Sequence, residues 1–185
     1  MKLTANKRTD MKKGAIKQTR REGNIPAIVY APDRAGEPII INGEEFRAAL
    51  RSMKQGHLPT TIFTLHLGNK ERKAIVKDIQ YDLTTYQVIH LDFEELSDKV
   101  LVSVKVPISC TGVAECVGIK LGGFLRQVIP AVRVECLPKD IPAMFEVDVR
   151  ELGIRQTKRL SDIVLPKGVK ALVDVKEVVV VIAKR

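Results

Sequence analysis

The sequence predicts a mainly β protein: a small N-terminal β-barrel with one or two short helices, followed by a second β-rich domain. Three observations predict it. Short apolar–polar alternations recur along the chain with the period of a half-buried strand. One stretch in the N-terminal half repeats its apolar residues at helical spacing. A polar connector, Glu94-Glu-Leu-Ser-Asp98, divides the chain near its middle and gives domains 1–94 and 95–185.

Taken in order, Ile25-Pro-Ala-Ile-Val-Tyr30 is a strongly apolar, core-like strand. Residues 43–53 form a helix, because Phe46, Leu50 and Met53 fall at i, i+4 and i+7 and acids occupy the first turn. Residues 60–67 alternate Ile62, Thr64 and His66 against Phe63, Leu65 and Leu67. A hairpin-type connection at Gly68-Asn69 leads to a strand over 72–80. Residues 86–93 place Gln87, Ile89, Leu91 and Phe93 on one face, with Val88, His90 and Asp92 on the other. In the second half, 100–107, 132–136, 144–149 and 176–183 are strands. Gly112, Gly118, Gly122 and Gly123 punctuate a loop, and 152–163 has room for one or two helical turns. Many short strands with one helix give a twisted barrel rather than a parallel α/β sheet.

A hydrophobic fraction of 45% supplies apolar cores, which excludes a disordered chain. No uninterrupted apolar run approaches the ~20 residues that span a bilayer. The N-terminus lacks the apolar centre of a signal peptide, because Asn6-Lys7-Arg8 interrupts it. The three cysteines, Cys110, Cys116 and Cys136, have neither disulfide-framework nor zinc-ligand spacing, and are expected as free thiols. These features point to the cytoplasm, without membrane association.

Charge is concentrated at the start. Residues 1–21 hold eight Lys or Arg against one acid, Asp10, within a chain of formal net charge +9. Such a concentration is an electrostatic footprint for polyanions, with nucleic acid favoured over membrane. Arg8 offers a planar fork, and Lys13 and Lys17 are point charges beside Gly14. A short helix over 15–22 would set Lys17, Arg20 and Arg21 on one face. Gln80 both donates and accepts, which suits a base edge or a 2′-hydroxyl, and Tyr30 can stack or donate its hydroxyl. Aromatic residues make up 4% of the chain and Trp is absent, so an extended stacking platform is poorly supplied.

His90 and Asp92 share a strand face, the spacing of a base and its orienter. No Ser or Cys nucleophile occupies a recognisable elbow, and no carboxylate cluster has metal spacing. The two are therefore expected as a hydrogen-bonding pair that structures a binding face rather than one that catalyses. His57 and His66 are expected on a loop and a strand face. Gly118-Ile-Lys-Leu-Gly-Gly123 lacks the Lys-Ser/Thr ending of a phosphate loop and is expected as a turn. Catalytic residues, metal, cofactor and small-molecule substrate are all expected to be absent.

Several ordered motifs carry a resemblance: Arg8, Lys13-Gly-Ala15, Arg20-Arg21, Gly23 and Ile25-Pro-Ala-Ile-Val-Tyr30, then Lys77-Asp-Ile-Gln80 and His90-Leu-Asp-Phe93. Together they resemble the bacterial ribosomal protein L-twenty-five family. Val104-Lys-Val-Pro107, Val134-Glu-Cys136 and Asp140-Ile-Pro142 are similar to the C-terminal domain of its longer members, which include a general stress protein. The resemblance implies a structural protein of the large ribosomal subunit, with an N-terminal barrel docked on the widened minor groove of an internal loop in 5S rRNA. It places RNA contacts at Arg8, Lys13, Lys17, Arg20, Tyr30, Gln80, His90 and Asp92; the charge pattern adds Arg21. The alternative is a stress-linked RNA-binding protein or chaperone acting off the ribosome. The chain departs from the family pattern at Lys12, Ala31 and Tyr81.

Overall fold

The computed structural model describes residues 1–10, 12–68 and 70–184. The chain divides into two compact units, Met1–Asp98 and Lys99–Arg185. The first contains strands β1 (Lys2–Lys7), β2 (Ile25–Ala31), β3 (Arg34–Ile41), β4 (Ile62–Leu67), β5 (Lys70–Tyr81) and β6 (Val88–Glu95). They close into a barrel in the order β1-β3-β2-β6-β5-β4. The β1–β4 and β2–β6 pairs are parallel and the others antiparallel. Asn69, in the expected hairpin connection, lies outside the described residues. The last strand begins at Val88 rather than Tyr86, because Tyr86 has a φ of 54° and leaves the extended region.

Alternation along each strand fills the barrel. Leu3, Ala5, Ala27, Val29, Ile39, Ile41, Phe63, Leu65, Leu91 and Phe93 are buried. On the expected second helix, α2 (Gly43–Ser52), Phe46 enters the same core and meets Phe63 with ring centroids 6.1 Å apart. Phe63 in turn meets Phe93 edge-on, also at 6.1 Å. The start of α2 is well specified. Asn42 Oδ1 accepts from the N–H groups of Glu44 and Glu45 at 2.9 and 3.3 Å. Glu45 also accepts from the Thr4 N–H at 2.7 Å and hydroxyl at 3.0 Å, tying α2 to β1. Gly43 has no alternative, because a Cβ there would collide with the Gly23 carbonyl oxygen.

The far end of the barrel is closed by charge. By strand parity Lys7, Glu37, Arg72 and Glu95 all point inward. Arg72 Nη1 lies 2.9 Å from Glu37 and 3.8 Å from Glu95, and Lys7 Nζ lies 3.2 Å from Glu37. Two cations and two anions thus neutralise each other at a rim where apolar side chains would meet water.

One irregularity matters for the surface. The β5–β6 register shifts between Val76 and Asp78. Ala74 and Val76 face the core before this bulge, and Ile79 packs against it afterwards. Lys77 is the extra residue, and Asp78 and Gln80 consequently face outward.

The second unit contains β7 (Val102–Thr111), β8 (Gly123–Gln127), β9 (Ala131–Cys136), β10 (Phe145–Asp148), β11 (Thr157–Arg159), β12 (Lys170–Ala171) and β13 (Val178–Lys184). They form sheets β10-β7-β9-β12 and β11-β13-β8 over one apolar cluster. Local expectations change in the glycine-rich stretch. The glycine-rich stretch includes a short helix, α3 (Val117–Lys120), and Gly123 opens β8. Gly118 is required by close approach: its N–H donates to Leu152 O at 2.8 Å, and a Cβ would lie 2.9 Å from that oxygen. Residues 152–163 supply the one helical turn expected there, a 3-10 turn over Leu160–Asp162, together with the short strand β11. The three cysteines are free; Cys116 and Cys136 are buried. Burial pushes the thiols of Cys110 and Cys136 above their usual pKa, with Asp140 adding to the effect at Cys136.

Glu37 titrates below its ordinary value of 4.5, chiefly through the hydrogen bond from Lys7; burial opposes this, and Arg72 lowers it further. A depressed carboxylate contributes stability that is present above the unfolded pKa and lost as pH falls through the folded one. Glu37→Gln is therefore expected to lower Tm at pH 7 and to flatten its fall below about pH 4.5. Parallel melting curves of wild type and variant from pH 7 to 3 would contradict this role.

Candidate nucleic-acid interface

The basic N-terminal stretch forms helix α1 (Lys13–Arg21) between β1 and β2. Thr19 is its buried residue, and its hydroxyl donates to Ala15 O at 2.9 Å. Lys13, Lys17, Arg20 and Arg21 are exposed. Arg20 and Arg21 in the last turn suit the negative end of the helix dipole. The first turn has no acid, and Lys12 and Lys13 stand at its positive end, so the isolated helix leaves that end electrostatically uncompensated. Gly14 is open, with nothing within 4 Å of where a Cβ would project. Lys13, Lys17 and Arg21 have no ion-pair partner among the described residues.

Arg20 joins the helix to the barrel: its Nε donates to Ile89 O at 3.1 Å. That carbonyl immediately precedes His90. From there the outer surface of three adjacent strands follows by register. Gln80 pairs with His90, and Asp78 with Asp92. On the other side of β6, Ile28 pairs with Asp92 and Tyr30 with Glu94. The Arg8 N–H donates to Pro38 O at 3.0 Å, and Pro38 pairs with Ile28, so half-buried Arg8 ends the same row. The fold thus gathers Arg8, Arg20, Tyr30, Gln80, His90 and Asp92 on the face of β2, β6 and β5 beneath α1. Lys13, Lys17 and Arg21 stay on the helix, linked to this face only through it.

His90 and Asp92 are half-buried neighbours. Nδ1 of His90 lies 2.8 Å from Oδ1 of Asp92, yet this buried nitrogen has no hydrogen bond, which corrects the expected hydrogen-bonding pair to a close contact. The short distance establishes proximity. The N–H direction decides the bonding, and it misses the carboxylate oxygen. His66 likewise faces Glu71 across the β4–β5 hairpin at 3.3 Å, a partner the sequence did not reveal. The His57 carbonyl accepts from the hydroxyls of Thr60 and Thr61 at 3.0 and 2.8 Å, a turn role.

Two outward residues join the row that sequence reasoning did not single out, Asp78 and Glu94. Glu94 accepts from Lys77 Nζ at 2.6 Å. The available signal was the apolar spacing: Val76 to Ile79 is a step of three in a strand of period two, the mark of a bulge. Burial first, then Glu94, Asp92 and Asp78, raises the Tyr30 pKa above 10.0, so its hydroxyl remains a donor at neutral pH. Carboxylates on the strands can accept hydrogen bonds from amino or hydroxyl groups, while the unpaired cations on α1 can meet anions.

Residues 3–93 match the Ribosomal L25p family, and residues 101–185 match the C-terminal domain of ribosomal protein TL5. The chain is 47% identical over 185 residues to the large ribosomal subunit protein bL25 of Chlamydia trachomatis, covering 100% of both chains. The proteins of the same name from Chlamydia muridarum and Chlamydia pneumoniae are 46% and 44% identical, again over 100% of each chain. The chain belongs to the ribosomal L25p family. It is a structural ribosomal protein and not an enzyme, and bacterial ribosomal proteins work in the cytoplasm.

The Arg20–Ile89 hydrogen bond makes a structural prediction for this family member. Arg20→Ala is expected to loosen α1, speeding amide exchange over residues 16–24, while costing the fold only about 1 kcal/mol. Unchanged exchange across α1 would show that the bond does not hold the helix.

Proposed function

We propose that the chain binds 5S rRNA within the large ribosomal subunit through the face of β2, β6 and β5 together with α1. The observation that carries the proposal is the Arg20–Ile89 link, which sets the cationic helix against the start of the Gln80–His90–Asp92 row. Family membership supports it, as do relatives named for the large subunit. In this reading residues 1–94 form the RNA-binding domain and 95–185 a second domain. Contacts are assigned to Arg8, Lys13, Lys17, Arg20, Arg21, Tyr30, Gln80, His90 and Asp92. The helix cations meet phosphates and fix register. The strand residues meet base edges and 2′-hydroxyls in a groove wide enough to admit side chains.

The test is direct titration of 5S rRNA with the full chain and with residues 1–98. The fragment extends to 98 because Glu95 completes the charged rim and the Leu96 N–H donates to Lys73 O. Equal affinities are expected; a ten-fold weaker fragment, about 1.4 kcal/mol, would move part of the site elsewhere. With about four to six phosphate contacts, log K is expected to fall with log salt at a slope of about −3 to −5. Lys17→Ala should flatten that slope by about one contact's worth, and an unchanged slope would remove Lys17 from the interface.

His90→Ala separates reading from folding. Leu91 and Phe93 hold β6 in the core, so Tm should change little. RNA affinity should fall by about 1–3 kcal/mol, because the RNA group that His90 meets in the complex is left unpaired. Unfolding of the variant would make His90 a core residue, and wild-type affinity would take it off the interface.

A further inference from the structure

A cavity of about 430 Å³ lies between α1, α2 and the β5–β6 turn. Its apolar walls include Ile25, Leu50 and Val88, and Arg20 and Arg47 flank it. Tyr81 and Tyr86 also line it, 45% and 80% exposed. These are two of only three tyrosines in a chain without tryptophan. The turn that carries Tyr86 is held in shape. The Asp82 N–H donates to Gln87 O at 2.8 Å and the Tyr86 N–H to Asp82 O at 2.9 Å. The Asp82 carboxylate accepts from the N–H groups of Thr84 and Thr85 at 2.9 and 3.0 Å. Tyr86 itself has a φ of 54°, a conformation that bulky residues rarely adopt. Glycine or asparagine would sit there with less strain, so nothing in the turn's own geometry calls for the ring.

We propose that this cavity receives one unpaired nucleobase of the bound RNA, stacked on Tyr86. The inference rests on the RNA-binding reading above. The cavity is continuous with that interface, because Arg20 belongs to both. Apolar walls and exposed rings suit the π-face of a base. The flanking arginines suit the phosphates on either side of a base turned out of its helix. A preformed turn loses little freedom on binding.

Two readouts on 5S rRNA test this. Tyr86→Ala is expected to weaken binding about ten-fold or more and Tyr86→Phe less than about two-fold, because stacking needs the ring and not the hydroxyl. With 3-fluorotyrosine in place of tyrosine, the Tyr86 fluorine resonance, assigned by its loss in Tyr86→Phe, is expected to shift at saturating RNA. An unmoved Tyr86 resonance, or Tyr86→Ala binding like wild type, overturns the base site while leaving 5S rRNA binding intact. If the wild-type chain does not bind 5S rRNA at all, the functional reading fails and the base site fails with it.

Discussion

A closed six-stranded barrel has room inside for one set of side chains, and each strand must send the alternate set outward. That constraint organises the N-terminal half of this protein. Once Leu91 and Phe93 fill the interior, His90, Asp92 and Glu94 have no place but the surface. Once Ile28 and Tyr30 lie beside them on β2, a polar row crosses three strands. The Lys77 bulge extends the row. Without it Asp78 and Gln80 would point into the core, where an unpaired carboxylate would be untenable. The proposed binding face is therefore the outward complement of the packing solution.

The two ends of the barrel divide the charges. At one end Lys7 and Arg72 are consumed by Glu37 and Glu95, so these cations close the fold. At the other, α2 inserts Phe46 and leaves the rim to α1, whose lysines and arginines have few internal partners. Arg20 alone is committed, and its bond to Ile89 O aims the helix. A large excess of unpaired cations on one element repels itself unless an anion arrives, which is the electrostatic signature of a polyanion site.

Much of this was legible in the chain. The α2 pattern of Phe46, Leu50 and Met53 and the alternations of β4 and β6 follow from burial on one face, and the structure has them. The same-face pairing of His90 and Asp92 was correct as placement; their missing hydrogen bond depends on ring orientation, which spacing does not encode. Strands β1 and β3 went unread. β1 carries only Leu3 and Ala5 as buried residues among polar neighbours, and β3 owes its shape to pairing with β1 and β2. In the second half, glycines suggested a loop where Gly118 serves close packing against Leu152. The Tyr86 turn was hidden because its left-handed tyrosine looks like the start of a strand.

In the proposed function one contiguous surface, α1 with the outer row of β2, β6 and β5, meets the RNA. Backbone amide chemical-shift mapping of the chain on 5S rRNA tests it most directly. Perturbations are expected to concentrate at residues 13–21, 28–30, 78–80 and 89–92, with the rim around Glu37 and Arg72 unmoved. Shifts centred on that rim, or on the second unit with α1 silent, would contradict it.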